Sequence, residues 1–171
     1  ILSDQSWKSP CWLGRFHFGK DLSRESFNLD ELRELGFPVE IVPVRPSPTF
    51  VDLRRALSSS RVLGVHVRLS DFRSLGLVPS GDYYRSAIRE AHQALNFDAT
   101  WLFSDEPGRA LDLVDPENID FVVSACDGVT AVEELGLLTE CSGLVLSRGS
   151  FSWWAWFLNR RTQSYVFPGG L

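Results

Sequence analysis

From residue 61 onward, apolar positions recur in two alternating rhythms. Short runs rich in Val, Ile, Leu and Phe, at 61–68, 99–103, 119–124, 143–146 and 164–167, read as strands. Between them, apolar residues fall at helical spacing over 82–95, 106–113, 130–141 and 150–159. In the first of these segments Tyr84, Ala87, Ile88, Ala91, Ala94 and Leu95 share one face, and in the third Thr130 and Glu133 have the spacing of a capping box. Strands alternating with helices predict an α/β fold, a Rossmann-like parallel sheet with helices on both faces and right-handed crossovers. The first sixty residues lack this rhythm. Prolines and glycines punctuate them, with a helix expected around Asp30–Leu35 and a strand around Val39–Val44. Pro43–Pro48 reads as an extended linker, followed by a helix from Phe50 to Leu57. The expected organisation is therefore an irregular segment, 1–60, and a Rossmann-like domain, 61–171.

Polar residues gather where these strands end. His66, Arg68 and Asp71 follow the first strand, Ser104, Asp105 and Glu106 the second, and Ser147, Arg148, Gly149 and Ser150 the fourth. In open α/β sheets ligands bind outside the carboxyl ends of the strands, so one crevice accounts for all three clusters. Arg68 offers a planar, permanently charged fork that suits phosphate. Ser150 reads as the N-cap of a helix whose mouth carries unpaired N–H groups and partial positive charge, and Gly149 permits close approach to the backbone. Together they describe a place for an anion.

Each residue also has a plainer reading. Arg68 alone would be a structural arginine paired with Asp71 or Glu134; its company tips the balance to phosphate. His66 alternates to the face of Arg68 and either touches the same ligand or is a buried, hydrogen-bonded histidine. Asp105 reads locally as a helix N-cap ahead of Glu106-Pro107. Glu133 reads as a capping residue and Glu134 as its solvated neighbour. The aromatic helix Phe151–Leu158 is expected to pack on the sheet with most of its rings.

Composition narrows the ligand rather than naming it. A chain of 171 residues suits one well-packed domain. Its formal net charge of -5 excludes a general nucleic-acid binder, so an anionic ligand must be held by a local positive feature. Only Lys8 and Lys20 among the 17 basic residues are lysines, a bias attributed to genomic base composition. Cys11, Cys126 and Cys141 have neither metal spacing nor an even count, which favours a reducing compartment. No run is long enough to span a membrane, no signal-peptide pattern opens the chain, and both ends read as cuts.

Three segments, in order and at natural spacing, resemble the α-1,2-fucosyltransferases of glycosyltransferase family 11. HVRLSDF (His66–Phe72) is similar to the family's HxRRxDY, FSDEP (Phe103–Pro107) to its FSDDP-like segment, and CSGLVLSRGSFSWWAWFL (Cys141–Leu158) to its C…STFSWWAAWL signature. The likeness covers about 61–167, with nothing matched in the first sixty residues. Where the family has a second arginine this chain has Leu69, and where it has glycine, Ser70.

The resemblance implies the donor-binding half of a GT-B-type enzyme. Its reaction would be inverting transfer of L-fucose from GDP-β-L-fucose to a sugar hydroxyl, a galactoside 2-OH, forming an α-1,2 linkage. GDP-fucose and a glycan acceptor would be its partners, with no cofactor and no metal. Residues 1–60 would be the remnant of the acceptor side. Arg68 would be the catalytic residue and grip the pyrophosphate, with His66 against ribose or guanine and Asp71 bracing the Arg68 loop. Ser150 and the backbone of Phe151 would hold phosphate oxygens. Glu134 would read guanine N–H groups, Asp105 would shape the donor site, and Arg148 would replace the charge lost at Leu69. The alternatives are a catalytically incomplete GDP-fucose-binding domain and a fucosyltransferase of another linkage class. Location would be the cytoplasm in a bacterium or the Golgi lumen in a eukaryote.

Overall fold

Five parallel strands form one sheet in the order β3-β2-β1-β4-β5. They are β1 (Val62–Val67), β2 (Ala99–Ser104), β3 (Phe121–Val123), β4 (Gly143–Val145) and β5 (Ser164–Val166). The structure, a computed structural model, describes residues 43, 45–125 and 128–168, all within the compact unit Val39–Pro168. The helix expected around Asp30–Leu35, most of the strand expected around Val39–Val44, Cys11 and Cys126 lie outside the described residues. Among the described residues no helix is long and apolar enough to cross a membrane.

The sequence Val-Leu-Gly-Val-His-Val makes β1 the centre of the sheet, and all six residues are buried. Alternation sends Leu63, Val65 and Val67 to one face. There they pack with Tyr84, Ala87, Ile88 and Ala91 of α3 (Gly81–Ala94) and Ala110 and Val114 of α4 (Pro107–Val114). Each such buried aliphatic side chain contributes about 1.5–3 kcal/mol relative to exposure. Gly64 and His66 point to the other face, covered by α5 (Ala131–Leu138) and α6 (Ser150–Leu158). A Cβ on Gly64 would lie 2.8 Å from Cys141 Sγ and 3.3 Å from Leu138 Cδ2, so the end of α5 and the turn that follows it can approach β1 only over a glycine. Helices therefore cover both faces, as the alternating pattern predicts.

Differences from expectation have local causes. The first described helix, α1 (Pro48–Ser59), starts earlier than expected. Ser47 Oγ accepts from Phe50 N, and Pro48 sits in the first turn, where its missing N–H costs nothing. A short helix, α2 (Ser70–Ser74), occupies what reads as a loop. Helix α3 stops at Ala94, which is exposed, so the apolar face ends near Ala91. Helix α5 stops at Leu138 rather than Cys141 because the buried Asn159 Nδ2 donates to Leu138 O (2.9 Å) and Cys141 O (2.8 Å), turning the chain into β4. Cys141 itself is fully buried, and burial pushes its thiol well above the ordinary range.

Helix α1 is fastened to α5 by a buried carboxylate. The Thr130–Glu133 capping box forms as predicted, with Glu133 Oε2 accepting from Thr130 N (2.8 Å) and Thr130 Oγ1 (3.0 Å). Its other oxygen accepts from Ser47 N at 2.6 Å, joining residues 86 apart. Burial alone would raise the Glu133 pKa, but these hydrogen bonds to the ionised form win and hold it at about 2. Because the folded value lies below the ordinary 4.5, its stabilisation is present above pH 4.5 and is lost as pH falls through 2. Glu133→Gln is therefore expected to melt below the wild type at pH 7, with the gap closing between pH 4.5 and 2. A gap that stays constant across that range would contradict the assignment.

Candidate functional site

The sheet order creates a switch point. From β1 the chain adds β2 and β3 on one side, then returns to place β4 and β5 on the other. Crossovers diverge between the carboxyl ends of β1 and β4, and that divergence leaves a crevice. Arg68 lies directly after β1, and Ser147, Arg148 and Gly149 lie directly after β4.

Arg68 is held from two sides. Its Nη2 and Nε donate to Asp71 Oδ1 at 2.8 and 3.0 Å, and its Nη1 lies 3.0 Å from Asp105 Oδ2. Thus the pairing with Asp71 in the plainer reading occurs, while the second partner is Asp105. With 38% of its side chain exposed, the guanidinium is still reachable from solvent. Asp105 does not cap α4, whose N-cap is Glu106. Instead it accepts from Leu69 N (2.9 Å) and Ser70 N (3.1 Å), fixing the turn that starts α2. Burial raises its pKa, but these N–H donors, the Ser70 hydroxyl and the Arg68 charge together hold it below the ordinary carboxylate range. Asp71 is also lowered: its slight desolvation is outweighed by the Ser70 hydroxyl and Arg68.

The β4 wall differs from its sequence reading in one respect. The N-cap of α6 is Gly149, with φ 104°, and Ser150 is the exposed first helical residue. A side chain at position 149 would be strained by that φ, and a Cβ there would lie 2.7 Å from Phe72 Cζ of α2. The two walls therefore touch through Phe72 and Gly149. The first intrahelical bond is Trp153 N to Gly149 O at 3.2 Å, so the N–H groups of Ser150, Phe151 and Ser152 precede it at the positive end of the helix.

Of the two readings of His66, the structure displays the features of the plainer one. The residue is 4% exposed, its Nδ1 lies 2.6 Å from Ser152 Oγ, and its ring sits 5.1 Å from that of Phe151. Burial drives its pKa down to about 4, with Asp105 opposing and Arg68 assisting, so the ring is neutral at physiological pH. It behaves as the buried, hydrogen-bonded histidine of the plainer reading and locks the first turn of α6 to β1. Trp156 and Phe157 are buried, while Phe151, Trp153 and Trp154 are half-buried.

Glu134 is not a solvated neighbour. It is half-buried in the first turn of α5, and burial with the nearby Asp105 charge raises its pKa to about 7, against an opposing pull from Arg68. The raised value makes its ionisation oppose folding increasingly as pH climbs from 4.5 to 7. Leu69 turns its side chain into the core, 4% exposed. Arg148 is half-buried beside Tyr84, on which its charge acts. Sequence reading missed Phe72 and Ser152 as contacts between the walls. Both stand inside the segments HVRLSDF and FSWW, but neither carries a chemistry that singles it out.

A parallel α/β sheet with an arginine and a helix N-terminus at its switch point is an arrangement chemically able to accept an anion. Residues 10–170 match glycosyl transferase family 11, and the chain belongs to that family. The match reaches well before residue 61, so the likeness is wider than the three motif segments. The chain is 30% identical over 164 residues to galactoside alpha-(1,2)-fucosyltransferase 1 of Aotus nancymaae, covering 87% of this chain and 41% of that protein. It is 32% identical over 162 residues to the enzyme of the same name from Aotus azarae, again with 87% and 41% covered. The chain thus spans less than half the length of these relatives. In fold it is similar to POFUT1 crystallised in complex with GDP-fucose, at 14% identity and TM-score 0.50, covering 73% of this chain and 47% of that one. A second crystal form of that complex gives TM-score 0.50 at 13% identity, with 71% and 46% covered.

The Phe72–Gly149 contact is testable directly. Gly149→Ala is expected to cost about 1–3 kcal/mol through backbone strain at positive φ, and to displace Phe72. The urea midpoint should fall accordingly; an unchanged midpoint would show that position 149 tolerates a side chain.

Proposed function

We propose that this chain is the donor-binding portion of an inverting fucosyltransferase that takes L-fucose from GDP-β-L-fucose to a galactoside 2-OH, making an α-1,2 linkage. The observation that carries this reading is Arg68 at the switch point, half-exposed, beside a helix mouth opened by Gly149. Family membership and relatives named as galactoside α-(1,2)-fucosyltransferases support it. In the reaction, negative charge builds on the pyrophosphate as the glycosidic bond breaks. Arg68 and the N–H groups of Ser150 and Phe151 are aimed to stabilise that charge electrostatically. Asp71, on the solvent side, exchanges its hold on Arg68 for the incoming phosphate, while Asp105 keeps the guanidinium oriented. Glu134 accepts from guanine N–H groups, and Arg148 supplies positive charge from the β4 wall. His66 takes the role of a positioning residue for α6.

A second reading, a GDP-fucose-binding domain without turnover, draws on one observation. Leu69 is committed to the core, so no second charge stands beside Arg68 on β1. Calorimetry with GDP and a transfer assay on simple galactosides separate the two. Binding with transfer supports the enzyme, binding without transfer supports the binding domain, and no GDP binding contradicts both. Replacing Arg68 by alanine should weaken GDP about 10- to 100-fold, the worth of one charge-assisted contact.

The Glu134 role has its own pH signature. Guanine N–H groups need an ionised acceptor, and Glu134 loses its proton at about 7. GDP affinity is therefore expected to rise from pH 6 to 8 in the wild type and to stay flat over that range in Glu134→Gln. A wild-type profile that is flat, or that falls with pH, would remove Glu134 from the guanine site.

A further inference from the structure

The end of β4 poses a hydrogen-bonding problem that the backbone cannot solve. Strands β4 and β5 pair in the register Gly143↔Ser164, Leu144↔Tyr165 and Val145↔Val166, and Leu146 N donates to Val166 O at 2.9 Å. In a parallel ladder the next rung would run from the N–H of residue 168 to Leu146 O. Residue 168 is proline and has no N–H to give. Leu146 is 0% exposed, so its carbonyl cannot turn to water, and a buried acceptor left bare is costly. Tyr83, in the first turn of α3, supplies the donor. Its hydroxyl donates to Leu146 O at 2.7 Å and lies 3.0 Å from Val166 O. Val166 O already accepts from Leu146 N, so the single hydroxyl proton is needed at Leu146 O. Burial, with Tyr84 alongside, keeps the Tyr83 hydroxyl protonated against the opposing pull of its bond to Leu146 O.

From Leu146 the chain runs through Ser147 and Arg148 to Gly149, where α6 opens. Phe72 meets that turn at Gly149, and Tyr83 grips it at Leu146. Both side chains come from one stretch, residues 70–84. Within it Leu77 N donates to Phe72 O at 2.9 Å, and Ser80 Oγ accepts from Tyr83 N at 3.2 Å. We propose that Tyr83 is a positioning residue for the β4 wall of the crevice: its hydroxyl stands in for the ladder donor that Pro168 lacks, and so fixes the turn that presents the N–H groups of Ser150 and Phe151 to a nucleoside diphosphate. The inference rests on the proposed GDP site and adds to it the group that holds one of its walls.

Two readouts on the whole chain test it: backbone amide NMR without ligand, and calorimetry with GDP. Tyr83→Phe is expected to shift the amides of residues 147–152 and to weaken GDP roughly three- to ten-fold. Asp120→Ala is the control, since its carboxylate accepts from Thr100 N at 2.7 Å at the amino end of the sheet. It should lower the melting temperature and leave GDP affinity unchanged. Rescue separates positioning from general stability. In Tyr83→Phe/Pro168→Ala the new N–H at position 168 falls on the ladder, and both readouts should return toward wild type. If Tyr83→Phe does not fold, the double variant should, and its failure to fold overturns the replacement of the ladder donor. A Tyr83→Phe variant that melts lower with amides 147–152 and GDP affinity unmoved overturns the positioning role. Losses that Pro168→Ala does not restore overturn the part assigned to Leu146 O. Moved and restored amides with unchanged GDP affinity overturn the link to the ligand. Wild-type protein that fails to bind GDP overturns the proposed function itself, while the ligand-free amides still decide how the end of β4 is held.

Discussion

Asp105 is the contact from which the architecture of the site follows. One oxygen accepts from Leu69 N, and the other from Ser70 N while pairing with Arg68. That carboxylate, delivered by the end of β2, sets the turn after β1 and starts α2. Helix α2 carries Phe72 onto Gly149, and Gly149 opens α6. Ser152 of α6 meets His66, which returns the chain of contacts to β1. Every wall of the crevice therefore depends on neighbours that belong to a different strand. Such closure fixes these side chains relative to one another in advance, which would reduce the ordering cost of any binding there.

The chain carries a net charge of -5, so the proposed function requires an anion to be held by local positive features. The positive features at this end of the sheet are Arg68, which Asp71 and Asp105 pair, Arg148 and the N-terminus of α6. Two of the three are partly shielded from water, where a charge acts more strongly than on an exposed surface. The acids around them have distinct tasks. Asp105 is bound by backbone N–H groups and stays ionised, whereas exposed Asp71 is the more readily exchanged partner of Arg68. Burial and the nearby Asp105 charge raise the Glu134 pKa to about 7, apart from the two lowered aspartates.

Sequence pattern carried the sheet well because burial on both faces imposes it. The apolar run of β1 and the helical spacing of α3 follow from the same packing that the structure displays. What stayed hidden depends on contacts between residues far apart in the chain. Five-residue α2 is too short to have a period, and Asp105, from another strand, holds its first turn. Ser150 has the right chemistry for an N-cap, yet Phe72 against position 149 puts glycine there instead. Alternation identified a polar face for His66 but could not say that Ser152 waits 2.6 Å away.

The central claim is that an anionic nucleotide sits at the carboxyl ends of β1 and β4. Backbone amide NMR during titration with GDP tests it most directly. The account predicts shifts at Leu69 and Ser70 and over residues 149–152, with Arg61, Asp98 and Gln163 at the opposite sheet edge unaffected. Shifts confined to that opposite edge, or none at saturating GDP, would contradict it.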